Sequence, residues 1–209
     1  ERVLELAAKR PEFTLEIWDY MAFLVDDARV ADGRARLAEH GDLLAEIEAR
    51  YGVDRHVVLA IWGIETDYGR RTGGHFLPHS LTTLVCAGDR RRDFWRGELM
   101  AAMELVAAGD LALDDLYGSW AGAFGHTQFI PTSYRRLAVD FDGDGRRDLV
   151  GSLPDALAST ANYLKRAGWR TGAPFMIEVT VPDGYAGPTG RDARASLATW
   201  DARGVRRAD

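Results

Sequence analysis

The chain has 209 residues, 46% of them hydrophobic and 28% charged, and its formal net charge at pH 7 is −6. This length predicts one domain or two small lobes, and the composition excludes intrinsically disordered, collagen-like and disulfide-stapled proteins. The acidic balance argues against nucleic acid as a partner, and no apolar run approaches the roughly 18 residues of a membrane span.

The first fifty residues are predicted to be helical. Apolar residues recur at three- and four-residue spacing from Phe13 to Leu24, which indicates one amphipathic helix. A second helix is predicted from Leu37 to Tyr51, where Gly52 ends it.

The next helix is predicted to follow Asp54 as its N-cap. Gly69 is the candidate residue just past its C-terminus, and a loop is expected from Arg70 to Ser80. One face of the helix is predicted to carry an apolar row, which consists of Val57, Ile61, Ile64 and Tyr68.

The second half of the chain mixes helices with glycine-rich loops. Cys86, the single cysteine, is interpreted as a core residue. A strand is predicted from Phe175 to Val181, where apolar and polar residues alternate, and the tail after it is poorly periodic. The remaining predicted elements are helices over 80–87 and 92–108, a turn-rich segment over 117–133, an acidic loop over 140–148 and a helix that begins at or near Pro154 and ends before Gly168.

Glu65 is the first candidate for chemistry. It lies among isoleucine and tryptophan in the helix that follows Asp54. An apolar setting removes hydration from a carboxyl and raises its pKa, which suits a general acid near neutral pH. The alternative from the pattern alone is a surface glutamate with its carboxylate in water.

The segment 118–134 is the second candidate. Small residues alternate there with aromatic ones, and Ser119, His126 and Gln128 supply hydrogen-bonding groups. Glycine lets a backbone approach a ligand closely, and aromatic faces beside amides suit a carbohydrate groove. A tightly packed, turn-rich core segment explains the same pattern.

The third candidate is the acidic loop, which fits the first half of an EF-hand calcium loop. Asp140, Asp142 and Asp144 would supply carboxylates, and Arg146 its backbone carbonyl. Gly151 stands where a bidentate glutamate is expected, and Asp155 is the natural substitute. The set predicts Ca²⁺ of modest affinity in a structural role, with Na⁺ able to compete; the alternative is an acidic surface turn.

These motifs, in this order, resemble the membrane-bound lytic murein transglycosylase B family, whose members cleave bacterial peptidoglycan. The resemblance covers nearly the whole chain, although His126 stands where the family usually has an apolar residue or Gln. It rests on residues 17–20, 61–69, 118–125, 128–131, 139–145, 161–164 and 168–169.

The family implies a lysozyme-like core with a helical lobe and a small β lobe, and thus a mainly α fold with a small β element. By the same matching, Glu65 is the catalytic residue, and Asp140, Asp142, Asp144, Arg146 and Asp155 form the metal site. The substrate-binding residues are Tyr20, Ser119, Gln128 and Tyr163.

A single carboxyl implies a lytic rather than a hydrolytic reaction. A hydrolytic glycosidase normally uses a second carboxylate, and Asp67 is too close in sequence to Glu65 to share its helix face. The resemblance implies that Glu65 protonates the glycosidic oxygen between N-acetylmuramic acid and N-acetylglucosamine. It then takes the proton of the C6 hydroxyl, which attacks the anomeric carbon and gives a 1,6-anhydro end.

The predicted organisation is an N-terminal helical lobe over 1–50, a catalytic core over 51–170 and the start of a β lobe over 171–209. The core includes the EF-hand-like loop over 140–155. The family usually continues past this length with a Tyr-Asn element, so a further C-terminal segment is expected.

We expect a monomer in the periplasm or cell envelope of a bacterium, acting on peptidoglycan strands without an organic cofactor. Any membrane contact would go through a lipid anchor outside this chain. Two other functions stay open: a hydrolytic muramidase of the same fold, and a non-catalytic, calcium-dependent murein-binding module.

Overall fold

A computed structural model describes residues 2–8, 17–88, 90–174, 176–190 and 193–208 and confirms a mainly helical fold with few strands. Phe13, where the first predicted helix begins, lies outside the described residues. The helices are α1 (Arg2–Ala8), α2 (Ile17–Leu24), α3 (Asp27–Glu39), α4 (Gly41–Tyr51), α5 (Arg55–Thr66), α6 (Leu77–Ala87), α7 (Arg92–Ala107), α8 (Pro131–Leu137), α9 (Leu153–Arg166) and α10 (Leu197–Ala202).

The strands form two small antiparallel pairs. His75–Phe76 (β1) pairs with Tyr117–Gly118 (β2), and Val179–Thr180 (β3) pairs with Arg206–Arg207 (β4). The chain divides into two compact units, Glu1–Thr171 and Gly172–Asp209, and the second contains β3, α10 and β4. The three-part division of the sequence stays a prediction.

The first unit contains two apolar cores. The first core packs α4, α5 and α9 together, with Leu44, Trp62 and Leu157 buried in it. The second core packs α6, α7 and α8 around the segment between β2 and α8, with Phe124 at its centre. Helix α9 contributes to both cores, since Ala156 belongs to the second.

Helix α5 differs from its prediction at its end and in its buried face. Asp54 is the N-cap as predicted, and its side chain accepts a hydrogen bond from the His56 N–H at 2.7 Å. The helix ends at Thr66 rather than near Gly69, because Asp67 already adopts the left-handed conformation. The predicted apolar row is wrong, since the buried residues of α5 are Val58, Leu59, Trp62, Gly63 and Thr66.

Three other predictions need correction. The segment 70–80, predicted to be a loop, contains β1 and the first turn of α6, and Pro78 lies in that turn. The strand predicted over 175–181 is only Val179–Thr180 within the described residues, which exclude Phe175. Cys86 is exposed at the end of α6 and does not belong to a core. Across the ranges described, none of the helices is long and apolar enough to cross a membrane.

Candidate active site and cation loop

Helix α5 positions Glu65 at the edge of the first core. Trp62 is buried at 3% exposure, and Glu65 follows it by three residues, which turns its side chain about 60° away from the buried row. Thr66, the last residue of α5, is buried at 1%. The helix is therefore fixed on both sides of Glu65, while Glu65 itself is exposed.

Glu65 is an exposed carboxyl without a charged partner among the described residues. It forms no hydrogen bond and no ion pair within the part of the chain that the structure describes. One side of the residue reaches solvent, yet enough protein surrounds the carboxyl that lost hydration raises its pKa. No charge on the described residues adds to this shift, so desolvation alone favours the protonated form.

Two consecutive residues after Thr66 hold a left-handed conformation that costs a non-glycine residue about 1–3 kcal/mol. Asp67 has a φ of 53° and Tyr68 a φ of 57°. The Tyr68 ring is buried over Gly63, where an added Cβ would lie 2.6 Å from the ring. Its hydroxyl donates to the Arg29 carbonyl at 3.1 Å. These contacts compensate for the strain at the end of α5.

The carboxylate of Asp67 is held within this turn by arginines. It lies 3.8 Å from Arg29 Nε and 3.6 Å from Arg70 Nη1. Asp67 is therefore neutralised by arginines, and the pKa of Glu65 carries no contribution from it.

Ser119 lies in a tight turn that directly follows β2. Its amide donates to the Ala123 carbonyl at 2.7 Å, and its hydroxyl oxygen accepts from the Ala123 N–H at 3.0 Å. Gly118, just before it, pairs with His75 and forms a bridge with Phe124. The Ser119 hydroxyl proton is left free to donate to a ligand.

Gln128 lies in the same segment and also has a left-handed backbone, with a φ of 53°. Its side-chain amide donates to the Thr72 carbonyl at 3.0 Å and to the Gly125 carbonyl at 3.1 Å. Both amide hydrogens are therefore used to fix the loop, and the amide oxygen remains as the acceptor available to a ligand.

The two predicted tyrosines differ in their contacts. Tyr163 on α9 is 43% exposed, and its ring meets that of Phe129 edge-on at 5.9 Å. This contact places Tyr163 beside the segment that carries Gln128. Tyr20 on α2 is half-buried and makes no hydrogen bond or ring contact with the residues described.

The acidic loop brings three predicted ligands together. Asp140, Asp142 and Asp144 each offer a carboxylate oxygen, and these oxygens lie within 4.8 Å of one another. Backbone amides of the loop organise them: Gly145 N–H donates to Asp140 at 2.9 Å, and Arg146 N–H donates to Asp144 at 2.8 Å. Clustered carboxylates suit a hard cation such as Ca²⁺.

Asp155 is not part of this cluster. It is fully buried, and its two oxygens accept the N–H groups of Phe141 at 2.7 Å and Asp148 at 2.8 Å. It thus connects the two ends of the loop. The structure shows the proximity of the three aspartates, and the ligand roles of Asp140, Asp142, Asp144, Arg146 and Asp155 stay predictions.

Sequence reasoning missed two buried polar residues that support the site. Glu98 on α7 is 2% exposed and accepts hydrogen bonds from the Thr132 amide at 2.9 Å and the Thr132 hydroxyl at 2.7 Å. Its helical spacing with Ala101, Ala102 and Leu105 was the available signal. Thr66 gave no such signal, because the carbonyl that accepts its hydroxyl proton belongs to His126, which is sixty residues away in sequence.

Comparison with known proteins shows a family that spans the chain. The family model described as "Transglycosylase SLT domain" matches residues 1–209. The chain is 38% identical to membrane-bound lytic murein transglycosylase B of Escherichia coli over 187 residues, which is 88% of this chain and 50% of that protein.

Two solved structures are similar in fold. SltB3 from Pseudomonas aeruginosa, in complex with NAG-anhNAM-pentapeptide, has a TM-score of 0.88 and 46% identity over 98% of this chain and 55% of that one. Escherichia coli lytic transglycosylase SLT35, in complex with calcium, has a TM-score of 0.85 and 30% identity over 92% of this chain and 61% of that one. The chain thus spans about half the length of the relatives it matches first, at 50% and 55%.

Proposed function

The chain belongs to the transglycosylase SLT domain family, and from that premise we propose that it cleaves the β-1,4 bond between N-acetylmuramic acid and N-acetylglucosamine in peptidoglycan. The products carry 1,6-anhydromuramic ends. The observation that carries the proposal is the carboxyl of Glu65, whose pKa is raised by desolvation and which has no charged partner within the described ranges.

In the first step Glu65 acts as the general acid. Its raised pKa keeps a larger fraction protonated near neutral pH than an ordinary glutamic acid retains. Because it donates no hydrogen bond within the described part of the protein, its proton is available to the glycosidic oxygen. The bond from that oxygen to the anomeric carbon breaks, and the leaving sugar keeps the proton.

In the second step the Glu65 carboxylate acts as the base. It removes the proton from the C6 hydroxyl of the same muramic acid residue, and that oxygen bonds to the anomeric carbon. Hydrolytic glycosidases place a second carboxylate about 5–9.5 Å from the acid. The nearest acidic residue in sequence, Asp67, is engaged by arginines, which supports the route that needs no water.

The groove contacts follow from the groups left free. The Ser119 hydroxyl can donate to a sugar oxygen, and the Gln128 amide oxygen can accept from a sugar hydroxyl or N–H. The exposed ring of Tyr163 offers an apolar face for a sugar. Tyr20 is assigned to the groove by family resemblance alone.

The acidic loop is proposed to bind Ca²⁺ in an EF-hand-like site with a structural role, and Na⁺ competes for it. Calcium when bound would supply only charge neutralisation to the loop, and the catalytic steps do not need it. The solved calcium complex of a family member supports this assignment. The protein is proposed to act in the bacterial envelope, on the periplasmic side, as a monomer.

The proposal is tested with purified sacculi and the variant Glu65→Gln, which keeps the side-chain shape and removes the acid. Release of muropeptides is expected to fall at least about a hundredfold. Glu46→Gln is the matched control, because Glu46 is an exposed glutamate on α4. Unchanged release by Glu65→Gln would show that another group is the acid.

Mass spectrometry of the products separates the alternatives. Anhydro ends are one water lighter than reducing ends, and finding only reducing ends would make the protein a hydrolytic muramidase. Sacculi that bind the protein without releasing fragments would instead indicate a murein-binding module.

A further inference from the structure

Thr66 connects the helix that carries Glu65 to the segment that carries the groove contacts. Its hydroxyl oxygen lies 2.6 Å from the carbonyl of His126 and 3.3 Å from that of Trp62. A hydroxyl has one proton to donate, and the shorter distance identifies His126 as its acceptor. The same oxygen accepts the N–H of Gly69 at 3.0 Å.

His126, which accepts the Thr66 hydroxyl proton, is closely packed. A Cβ added to Gly69 would lie 2.8 Å from the His126 ring, so the turn after α5 packs directly against that ring. The ring also meets Trp62 at 5.9 Å, and the His126 amide donates to the Leu149 carbonyl at 3.0 Å. His126 is thus held on three sides, which makes its carbonyl a fixed acceptor for Thr66.

We propose that Thr66 is a positioning residue: its hydroxyl holds the end of α5, and with it Glu65, in register with the segment that carries Ser119 and Gln128. The inference rests on the proposed function, in which Glu65 transfers a proton to a sugar held by that segment. Thr66 itself takes no part in the chemistry.

The reason such a bond matters is the short range of proton transfer. Acid and acceptor must come within about 2.6–3.2 Å, and a misplacement of about 1 Å can cost a hundredfold in rate. Glu65 is adjacent to Thr66 in the last turn of α5, so a shift of this turn moves the carboxyl. Sugar binding depends on Ser119 and Gln128, which lie on the His126 side of the Thr66–His126 hydrogen bond. A shift of α5 therefore affects sugar binding less than it affects proton transfer.

The test compares Thr66→Val with Thr66→Ser on a soluble glycan of alternating N-acetylglucosamine and N-acetylmuramic acid. Valine keeps the shape and removes the hydroxyl, and we expect kcat to fall at least tenfold with KM within about threefold of wild type. The high-pH limb of the kcat–pH profile, where Glu65 loses its proton, shifts to lower pH. The reason is that a displaced Glu65 regains hydration, which lowers its pKa. Serine keeps the hydroxyl and restores both kcat and the profile to near wild type.

Thr160→Val is the matched control. Thr160 on α9 is 4% exposed, and its hydroxyl donates to the Ala156 carbonyl one turn before it, at 2.9 Å. We expect this variant to keep wild-type kcat and pH profile. Wild-type kcat in Thr66→Val, or equal losses in Thr66→Val and Thr66→Ser, would overturn the inference.

A measurement on the wild type covers the case in which Thr66→Val does not fold. Hydrogen exchange at the Gly69 amide should be slow, because that N–H is bonded to the buried Thr66 oxygen. Exchange as fast as in an open loop overturns the inference. Activity in Glu65→Gln would instead defeat the proposed function, and an inactive Glu65→Gln beside an unimpaired Thr66→Val would defeat only the role of Thr66.

Discussion

Replacing the buried Glu98 on α7 by glutamine should destabilise the protein far more than the same replacement of an exposed glutamate on that helix. Helix α8 begins at Pro131, and the residue before it, Ile130, has no side-chain group that can cap the helix. The N–H of Thr132 in the first turn is satisfied instead by the carboxylate of Glu98, which also accepts the Thr132 hydroxyl. Glu98 thus caps a helix to which it does not belong.

The magnitude follows from these two hydrogen bonds. A hydrogen bond to a charged group contributes about 1.5–3 kcal/mol, whereas one between neutral groups contributes about 0.5–1.5 kcal/mol. The glutamine amide can still accept the Thr132 N–H and donate to the Thr132 hydroxyl oxygen, but both bonds become neutral in a site that is 2% exposed. We therefore expect Glu98→Gln to lower the free energy of unfolding by about 2–3 kcal/mol.

Urea unfolding followed by tryptophan fluorescence measures this loss, as a lower midpoint with an unchanged slope. Glu104→Gln is the control, because Glu104 pairs across the same two helices with Arg135 but is 53% exposed. Such a surface pair contributes about 0–1 kcal/mol. Equal losses in the two variants would refute the capping role of Glu98.

Three further predictions concern the site and the cation loop. Desolvation raises the pKa of Glu65 in the folded state, so ionisation of Glu65 opposes folding at a pH above that pKa. The effect disappears at a pH below the pKa in the unfolded state, which is about 4.3. Glu65→Gln should therefore raise the thermal midpoint slightly at pH 7, since solvent screens this exposed carboxyl, and should not raise it at pH 3; a larger gain in acid would contradict this. Calcium at a hundredfold excess over Kd should stabilise the wild type by about 2.7 kcal/mol, measured as a higher thermal midpoint, and should stabilise Asp144→Asn clearly less; equal gains would exclude Asp144 as a ligand. Gly69→Ala should cost about 2 kcal/mol or more by urea unfolding, and more than Gly109→Ala, which has a similar positive φ but no atom near the added Cβ.

Local sequence signals predicted those helix boundaries that one capping residue determines. The capping residue Asp54 and the left-handed Gly52 mark helix boundaries in the structure as the sequence predicts. The three clustered aspartates could also be predicted, because their spacing within one loop determines their proximity.

Contacts between distant segments could not be predicted in this way. The end of α5 is set by Tyr68, which packs on Gly63 and bonds to Arg29, and these contacts outweigh the preference of Gly69 for the left-handed position. The bond from Thr66 to His126 and the engagement of Asp155 with two backbone amides depend on tertiary structure in the same way.

The two cores of the first unit meet at the candidate site. Glu65 lies on a helix packed in the first core, whereas Ser119 and Gln128 lie in a segment packed around Phe124 in the second. Local opening between packed units requires less free energy than global unfolding. Warming would therefore separate Glu65, the proposed acid, from the segment proposed to bind sugar while both cores remain folded. Thermal inactivation would then begin below the temperature at which helical circular dichroism is lost, and a bound glycan that contacts both Glu65 and that segment would narrow the interval between the two temperatures.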